Sequence, residues 1–321
     1  MRRWHLVLAT ALLVGCAYLS LAVGVVPIPL TDMWHPSEQQ WQLLTLSRLP
    51  RMVAILLAGA SMAVAGLIMQ RLTQNSFVSP STAGTVEAAV LGILVATLWL
   101  PVTSVLGTMA VAIAFAIVGT MVFLFILGHV RVADPVVVAL LGLMYGGVIA
   151  AVTVFIAYER DLLQLLEIWT TGSFSAIMPG QYEPIYIVLI AGLFGFLYAD
   201  RFAVAGMGRE FAVNLGLNYP SVRAIGLVIV SVIAAVVVVV VGAIPFLGLI
   251  VPNVVTLAMG DNLRRVLPVT ALAGAAFVLI CDVIGRTVRY PYEIPVSTIA
   301  GIIGALVFLW MILRTGERAR G

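Results

Sequence analysis

The chain has 321 residues, 62% hydrophobic and only 10% charged, against roughly 25% charged in a soluble domain, so water is not its main solvent. Its net charge of +3 comes from arginines dispersed among connecting loops, with no basic patch interleaved with aromatics, which argues against a nucleic-acid partner. The two cysteines, Cys16 and Cys281, lie in apolar runs and read as small core residues rather than a disulfide framework.

A membrane span needs roughly 20 apolar residues. Apolar windows between polar breaks predict about ten spans, near 5–26, 50–70, 83–100, 105–128, 135–157, 183–200, 223–243, 244–260, 266–286 and 294–314. The expected fold is therefore an all-α polytopic membrane protein, with 1–321 forming a single transmembrane domain. The first window follows Arg2 and Arg3 and is too long for a cleaved signal segment, so it is expected to stay as a span. With both termini cytoplasmic, the inner loops hold twelve arginines, and Arg48, Arg51, Arg160, Arg286 and Arg289 are the five outside. That asymmetry obeys the positive-inside rule.

Residues 27–49 carry Pro27, Pro29, Pro36, Trp34 and Trp41 and suit the outer interface. In the following SRLPRM, Pro50 fits the first turn of a helix, and the spacing sets Arg48 and Arg51 on one face. Arginines on the outer side need compensation, either from anionic headgroups or from carboxylates on a partner. Glu87 opens the third span in STAGTVEAAVLG, where an ionisable group either serves function or caps and snorkels at the boundary. Gly142 and Gly146 form a small-xxx-small face for close helix approach. Residues 158–182 read as a surface helix and turn anchored by Trp169 and Tyr182.

The largest polar island is 200–223, holding Asp200, Arg201, Arg209, Glu210, Asn214, Asn218 and Arg223. Within it, 209–217 is a short amphipathic run closed by Gly216, Asn218 and Pro220, a cytoplasmic docking surface. Pro245 and Pro252 in GAIPFLGLIVPNVV should bend or break a helix, so 223–260 is either two spans or one interrupted segment. Asp282 and Arg286, four apart, suit an intrahelical ion pair. Spans two to five and seven to ten start from opposite sides, as an inverted repeat requires.

Catalytic signatures are lacking. There is no His-Glu-x-x-His pair, and His5, His35 and His129 lie far apart, so no metal site is expected. All seventeen basic residues are arginine, so a phosphate-binding loop ending in lysine is impossible. If ATP is used, another chain must hydrolyse it.

Four stretches taken together resemble the permease subunits of ATP-binding-cassette importers for iron-siderophores, haem and cobalamin, the FecCD-like family. They are SRLPRMVAILLAGASMAVAGLIMQRLTQNSFVSPSTAG, GREFAVNLGLNY, GAIPFLGLIVPNVV and IGRTVRYPYEIPVSTIAGIIGALVFLWMILR, in the family's order and spacing. The resemblance implies ten helices per subunit, a dimeric permease, two ATPase subunits beneath it, and a substrate-binding lipoprotein that delivers cargo from outside. It implies that Arg48, Arg51 and Arg286 receive carboxylates of that binding protein. It makes Arg209, Glu210, Phe211, Ala212, Leu215, Gly216, Leu217 and Asn218 the coupling element seated in the ATPase. It sets Gly142, Tyr145, Gly146, Ser297, Thr298 and Gly301 near the translocation pathway. No cofactor is expected on this chain, since ATP and Mg belong to the partner ATPase.

Asn253, Glu87 and RYPYEIPVS are similar to the branch importing ferric catecholate-type siderophores, which implies a multi-pass cytoplasmic-membrane protein paired with a paralogous permease rather than with itself. Haem or cobalamin as cargo, and an ion- or proton-coupled secondary transporter using Glu87 and the Pro-broken helix, are the alternatives. An intramembrane enzyme is disfavoured, because no paired catalytic groups share a site.

Overall fold

A computed structural model describes residues 3–24, 29, 36–100, 104–130 and 135–318, and no strand occurs among them. The helices are α1 (Arg3–Ala22), α2 (Glu38–Leu43), α3 (Leu49–Thr73), α4 (Thr85–Trp99), α5 (Val105–His129), α6 (Pro135–Glu159) and α7 (Leu163–Thr170). They continue with α8 (Ile187–Leu197), α9 (Ala199–Ala205), α10 (Arg209–Asn214), α11 (Tyr219–Val241), α12 (Leu247–Met259), α13 (Leu263–Thr287) and α14 (Val296–Arg318).

Among the described residues, five helical segments are long and apolar enough to cross a membrane: Glu38–Thr73, Val105–His129, Val136–Glu159, Tyr219–Val241 and Leu263–Thr287. A sixth follows if Glu183–Leu197 and Ala199–Ala205, bent by 60°, form one span. Shorter apolar helices at Leu13–Ala22, Thr85–Trp99, Leu247–Met259 and Val296–Met311 occupy the other predicted windows. α4 and α12 extend only about 22 and 20 Å at 1.5 Å per residue, short of a hydrocarbon core of about 30 Å. Residues 74–84 lead into α4, and Pro80 lies against Gly248 at the start of α12. Residues 242–246 separate α11 from α12, with Gly242 and Phe246 both at positive φ, so 223–260 forms two helices.

α3 and α11 are mostly buried, whereas α5 and α6 leave most of their apolar surface outward. α3 can be central because its small residues let other helices in. A methyl group on Gly59 would come within 2.6 Å of the Gly274 carbonyl of α13, and one on Gly66 would overlap the Gly248 carbonyl of α12. α4, α5 and α11 are tied by buried hydroxyls: Thr85 Oγ1 lies 2.8 Å from Thr120 Oγ1, and the Ser231 hydroxyl donates to Thr120 Oγ1 at 3.2 Å. Such partners satisfy polar groups where water is absent.

α3 begins earlier than the proline predicts. A capping box at Ser37 and Gln40 starts α2, and a π turn at Leu44–Arg48 carries the helix into α3. Pro50 still occupies the first turn of α3.

Candidate functional site

From Arg51 to Arg71, α3 covers about 30 Å, the thickness of a hydrocarbon core. Polar side chains gather at both ends of this column.

At the Arg51 end two further arginines, Arg48 and Arg286, close the end of α1. Arg48 donates through Nη1 to the Leu21 carbonyl and to that of Ala22 at 3.0 Å. Arg286 donates to the carbonyls of Ser20 and Val23 at 3.0 and 2.6 Å, and to the Ser20 hydroxyl at 2.6 Å. Both arginines are buried and close the carbonyl end of α1, where cations oppose the helix dipole. Arg51 faces elsewhere. Its Nε and Nη2 donate to Asp282 Oδ1 at 3.1 and 2.7 Å, and Nη1 donates to both oxygens of Glu293 at 3.0 and 2.9 Å.

Asp282 is fully buried, and its Oδ2 also makes a 2.5 Å charge contact with Arg286 Nη2, off the line of a hydrogen bond. The intrahelical pair expected from the spacing is thus present, but Asp282 holds two arginines rather than one. Arg48 and Arg51 share a helix face and bond to different elements. Sequence reasoning paired Asp282 with Arg286 alone, and Glu293 is the site residue that it passed over. Glu293 was visible only as a carboxylate seven residues beyond Arg286.

At the Arg71 end, Arg71 pairs with Asp261 at 3.0 Å and Arg264 with Asp200 at 3.2 Å. The short helix α10 stands here, beside α9. Gly208 and Gly216, both at positive φ, bound it, and the Leu217 and Gly216 amides return to the carbonyls of Ala212 and Val213 at 3.0 and 2.9 Å. Asn218 then caps α11, its Oδ1 accepting from the Ser221 amide at 3.2 Å. Ala212 is the buried anchor of α10, while Met207, Phe211, Val213 and Leu215 are exposed. Phe211 and Val213 of this six-residue helix, with Met207 and Leu215 flanking it, form an outward apolar surface that resembles an interface element.

The residues expected near a pathway fall into two groups. Gly142 and Gly146 let α6 press on the start of α4: a methyl on Gly142 would overlap the Thr82 carbonyl, and one on Gly146 would lie 3.3 Å from the Glu87 carboxylate. The Tyr145 hydroxyl donates to the Gly119 carbonyl at 2.9 Å, with its ring over Gly84. Ser297, Thr298 and Gly301 lie at the start of α14, where the Ser297 amide donates to the Gly172 carbonyl at 3.0 Å and Gly301 faces Pro245. Among the described residues, α6 and α14 do not pack along each other. Glu87 lies between α4 and α6, with Oε2 buried and without a hydrogen-bond partner among the described residues. It lines a cavity of about 230 Å³ with Val90, Thr153, Leu166, Thr170 and Ala243. Leu166 and Thr170 of α7 and Ala243 of the 242–246 break line the same cavity, and Glu87 is half-buried.

A model of the FecCD transport family matches residues 12–314. The chain belongs to the FecCD transport family.

Similar members include the petrobactin import system permease protein YclN of Bacillus subtilis, 45% identical over 94% of this chain and 96% of that protein. The ferric-anguibactin transport system permease protein FatD of Vibrio anguillarum is 42% identical over 87% and 88%. Among solved structures, an inward-facing conformation of a metal-chelate type ABC transporter matches with a TM-score of 0.79, covering 98% of this chain and 99% of the other. At 24% identity that likeness concerns the fold. As a FecCD member with several apolar helices long enough to cross a bilayer, the chain is a multi-pass protein of the cytoplasmic membrane. Membership also implies ATPase and substrate-binding partners.

Proposed function

We propose that the chain is the permease subunit of an ATP-binding-cassette importer that carries ferric siderophore across the cytoplasmic membrane. The observation that carries this reading is the nearly full-length similarity to two ferric-siderophore permeases. The chain is a gated conduit and not itself an enzyme. It binds no cofactor of its own; ATP and Mg act in the ATPase subunits.

The Arg51 end faces outward and receives the binding protein through Arg48, Arg51 and Arg286. The segment 200–223 is cytoplasmic, and 209–218 (Arg209, Glu210, Phe211, Ala212, Leu215, Gly216, Leu217 and Asn218) seats in the ATPase. The exposed apolar side chains of α10 support that role. Gly142, Tyr145, Gly146, Ser297, Thr298 and Gly301 lie beside the path opened when the two permease subunits rock apart. The subunits each contain about ten helices arranged as an inverted repeat with both termini cytoplasmic, and the second is a paralogue.

The test is uptake of radiolabelled iron by cells lacking and then regaining this chain, with iron offered as ferric petrobactin, as haem, or beside labelled cobalamin. Loss confined to the siderophore supports the proposal. Loss confined to haem or cobalamin overturns the cargo, and uptake indifferent to the ATPase subunit overturns the importer class.

A further inference from the structure

Arg51 is held by two carboxylates of very different standing. Asp282 is fully buried on α13 and is itself gripped by Arg286. The Glu293 side chain is 28% exposed and stands in the non-helical segment between α13 and α14, with both oxygens turned to the single nitrogen Nη1. Among the described residues Arg51 is the one ion-pair partner of Glu293. Arg51 is 14% exposed and is the most accessible of the three arginines, the other two being buried against α1.

We propose that Glu293 is an exchangeable occupant of Arg51, an internal carboxylate that leaves when a carboxylate of the binding protein arrives. The inference rests on the docking role of Arg51 proposed above. A guanidinium presents five N–H donors in a fixed plane, and Asp282 and Glu293 already occupy the Nε edge and Nη1. A second exposed carboxylate cannot share Nη1 with Glu293, because two anions about 3 Å apart repel. Docking on Arg51 is therefore an exchange of one carboxylate for another. Asp282 stays and keeps the guanidinium aimed outward, while Glu293 swings away on its loop. That loop has room to move: Val288, Tyr290 and Tyr292 around it are exposed, and it is tied back where the Ile294 amide donates to the Gly285 carbonyl at 3.0 Å. The internal pair sets a threshold. An empty permease keeps Arg51 neutralised against adventitious anions, and docking affinity is lowered by the strength of the pair.

The experiment measures the dissociation constant of the importer's purified binding protein for the assembled permease–ATPase complex in lipid nanodiscs, at low and at high salt. Glu293→Gln keeps the shape and removes the charge. It is expected to tighten docking about twofold to fivefold at low salt, the range set by partly exposed ion pairs, with the gain shrinking at high salt. Glu293→Asp, which shortens the reach and keeps the charge, should tighten docking less. Arg51→Gln should weaken docking. If Arg51→Gln weakens docking but neither Glu293 variant tightens it, the exchange is overturned while the docking role stands. If Arg51→Gln leaves docking unchanged, the docking role fails and the exchange falls with it.

Discussion

Asp282 Oδ1 lies 2.7 Å from Arg51 Nη2, although the two residues are 231 positions apart in the chain. This contact joins α13 to the head of α3, and through Arg286 it reaches the end of α1. One buried carboxylate therefore orders two of the three arginines proposed to meet the binding protein. Replacing Asp282 with Ala leaves the buried Arg286 without a carboxylate and Arg51 with Glu293 alone, and should destabilise the permease by about 3–5 kcal/mol. The thermal midpoint in detergent, followed by fluorescence size exclusion, should fall clearly. An unchanged midpoint would mean that the pairing is worth little in the membrane.

Arg51→Glu puts an anion where a partner carboxylate should land, beside Asp282 and Glu293. The ratio of binding-protein-stimulated to basal ATP hydrolysis in the reconstituted importer should drop towards one. A ratio that persists at the native value removes Arg51 from the docking surface.

Phe211 and Leu215 are 50% and 62% exposed, so Phe211→Asp costs the isolated permease little, within about 0.5 kcal/mol. If α10 seats in the ATPase, the same change should abolish co-purification of the ATPase subunit from membranes. Retention of the subunit by a well-folded variant would argue that coupling runs through another segment.

Gly66→Leu tests the seam between α3 and α12, where even a methyl group would overlap the Gly248 carbonyl. Overpacking of a tight seam typically costs about 1–3 kcal/mol. A large side chain against a backbone carbonyl should reach the upper end of that range. The expected outcome is a lower midpoint and reduced accumulation in the membrane, whereas Gly128→Leu, with open space around it, should be neutral.

Glu87→Gln replaces a half-buried carboxyl whose Oε2 is buried and has no hydrogen-bond partner among the described residues. An ionisable group inside a bundle is costly, so the variant should melt higher than the native protein. If iron uptake falls at the same time, the carboxylate is kept for transport at the expense of stability.

The apolar windows were legible from the amino acids because hydrocarbon selects them residue by residue, and each predicted window has its helix. The short helix in the 200–223 island could be read in the same way, from local signals alone. Gly216 adopts the positive φ that glycine permits, and Asn218 caps the helix that follows. The shortness of α4 and α12 was partly legible: Pro245 marked the break at 242–246, and the polar run 74–84 separated two apolar windows. What the amino acids did not show is how that backbone is held, with packed neighbours such as Asn253, which donates to the Ser76 carbonyl at 2.7 Å, making it tolerable.

The arginines divide along the same line. Local order placed Arg48 and Arg51 on one face, and the four-residue spacing of Asp282 and Arg286 made a pair. Their partners were decided by the fold, because burial removes water as a competitor and leaves each guanidinium only what the neighbouring helices present. The end of α1 presents carbonyls to Arg48 and Arg286; α13 and the loop after it present Asp282 and Glu293 to Arg51. Hydropathy and spacing are properties of neighbours along the chain, so the sequence carries them. A charge shared across more than two hundred residues depends on helix packing, and only the folded chain could supply it.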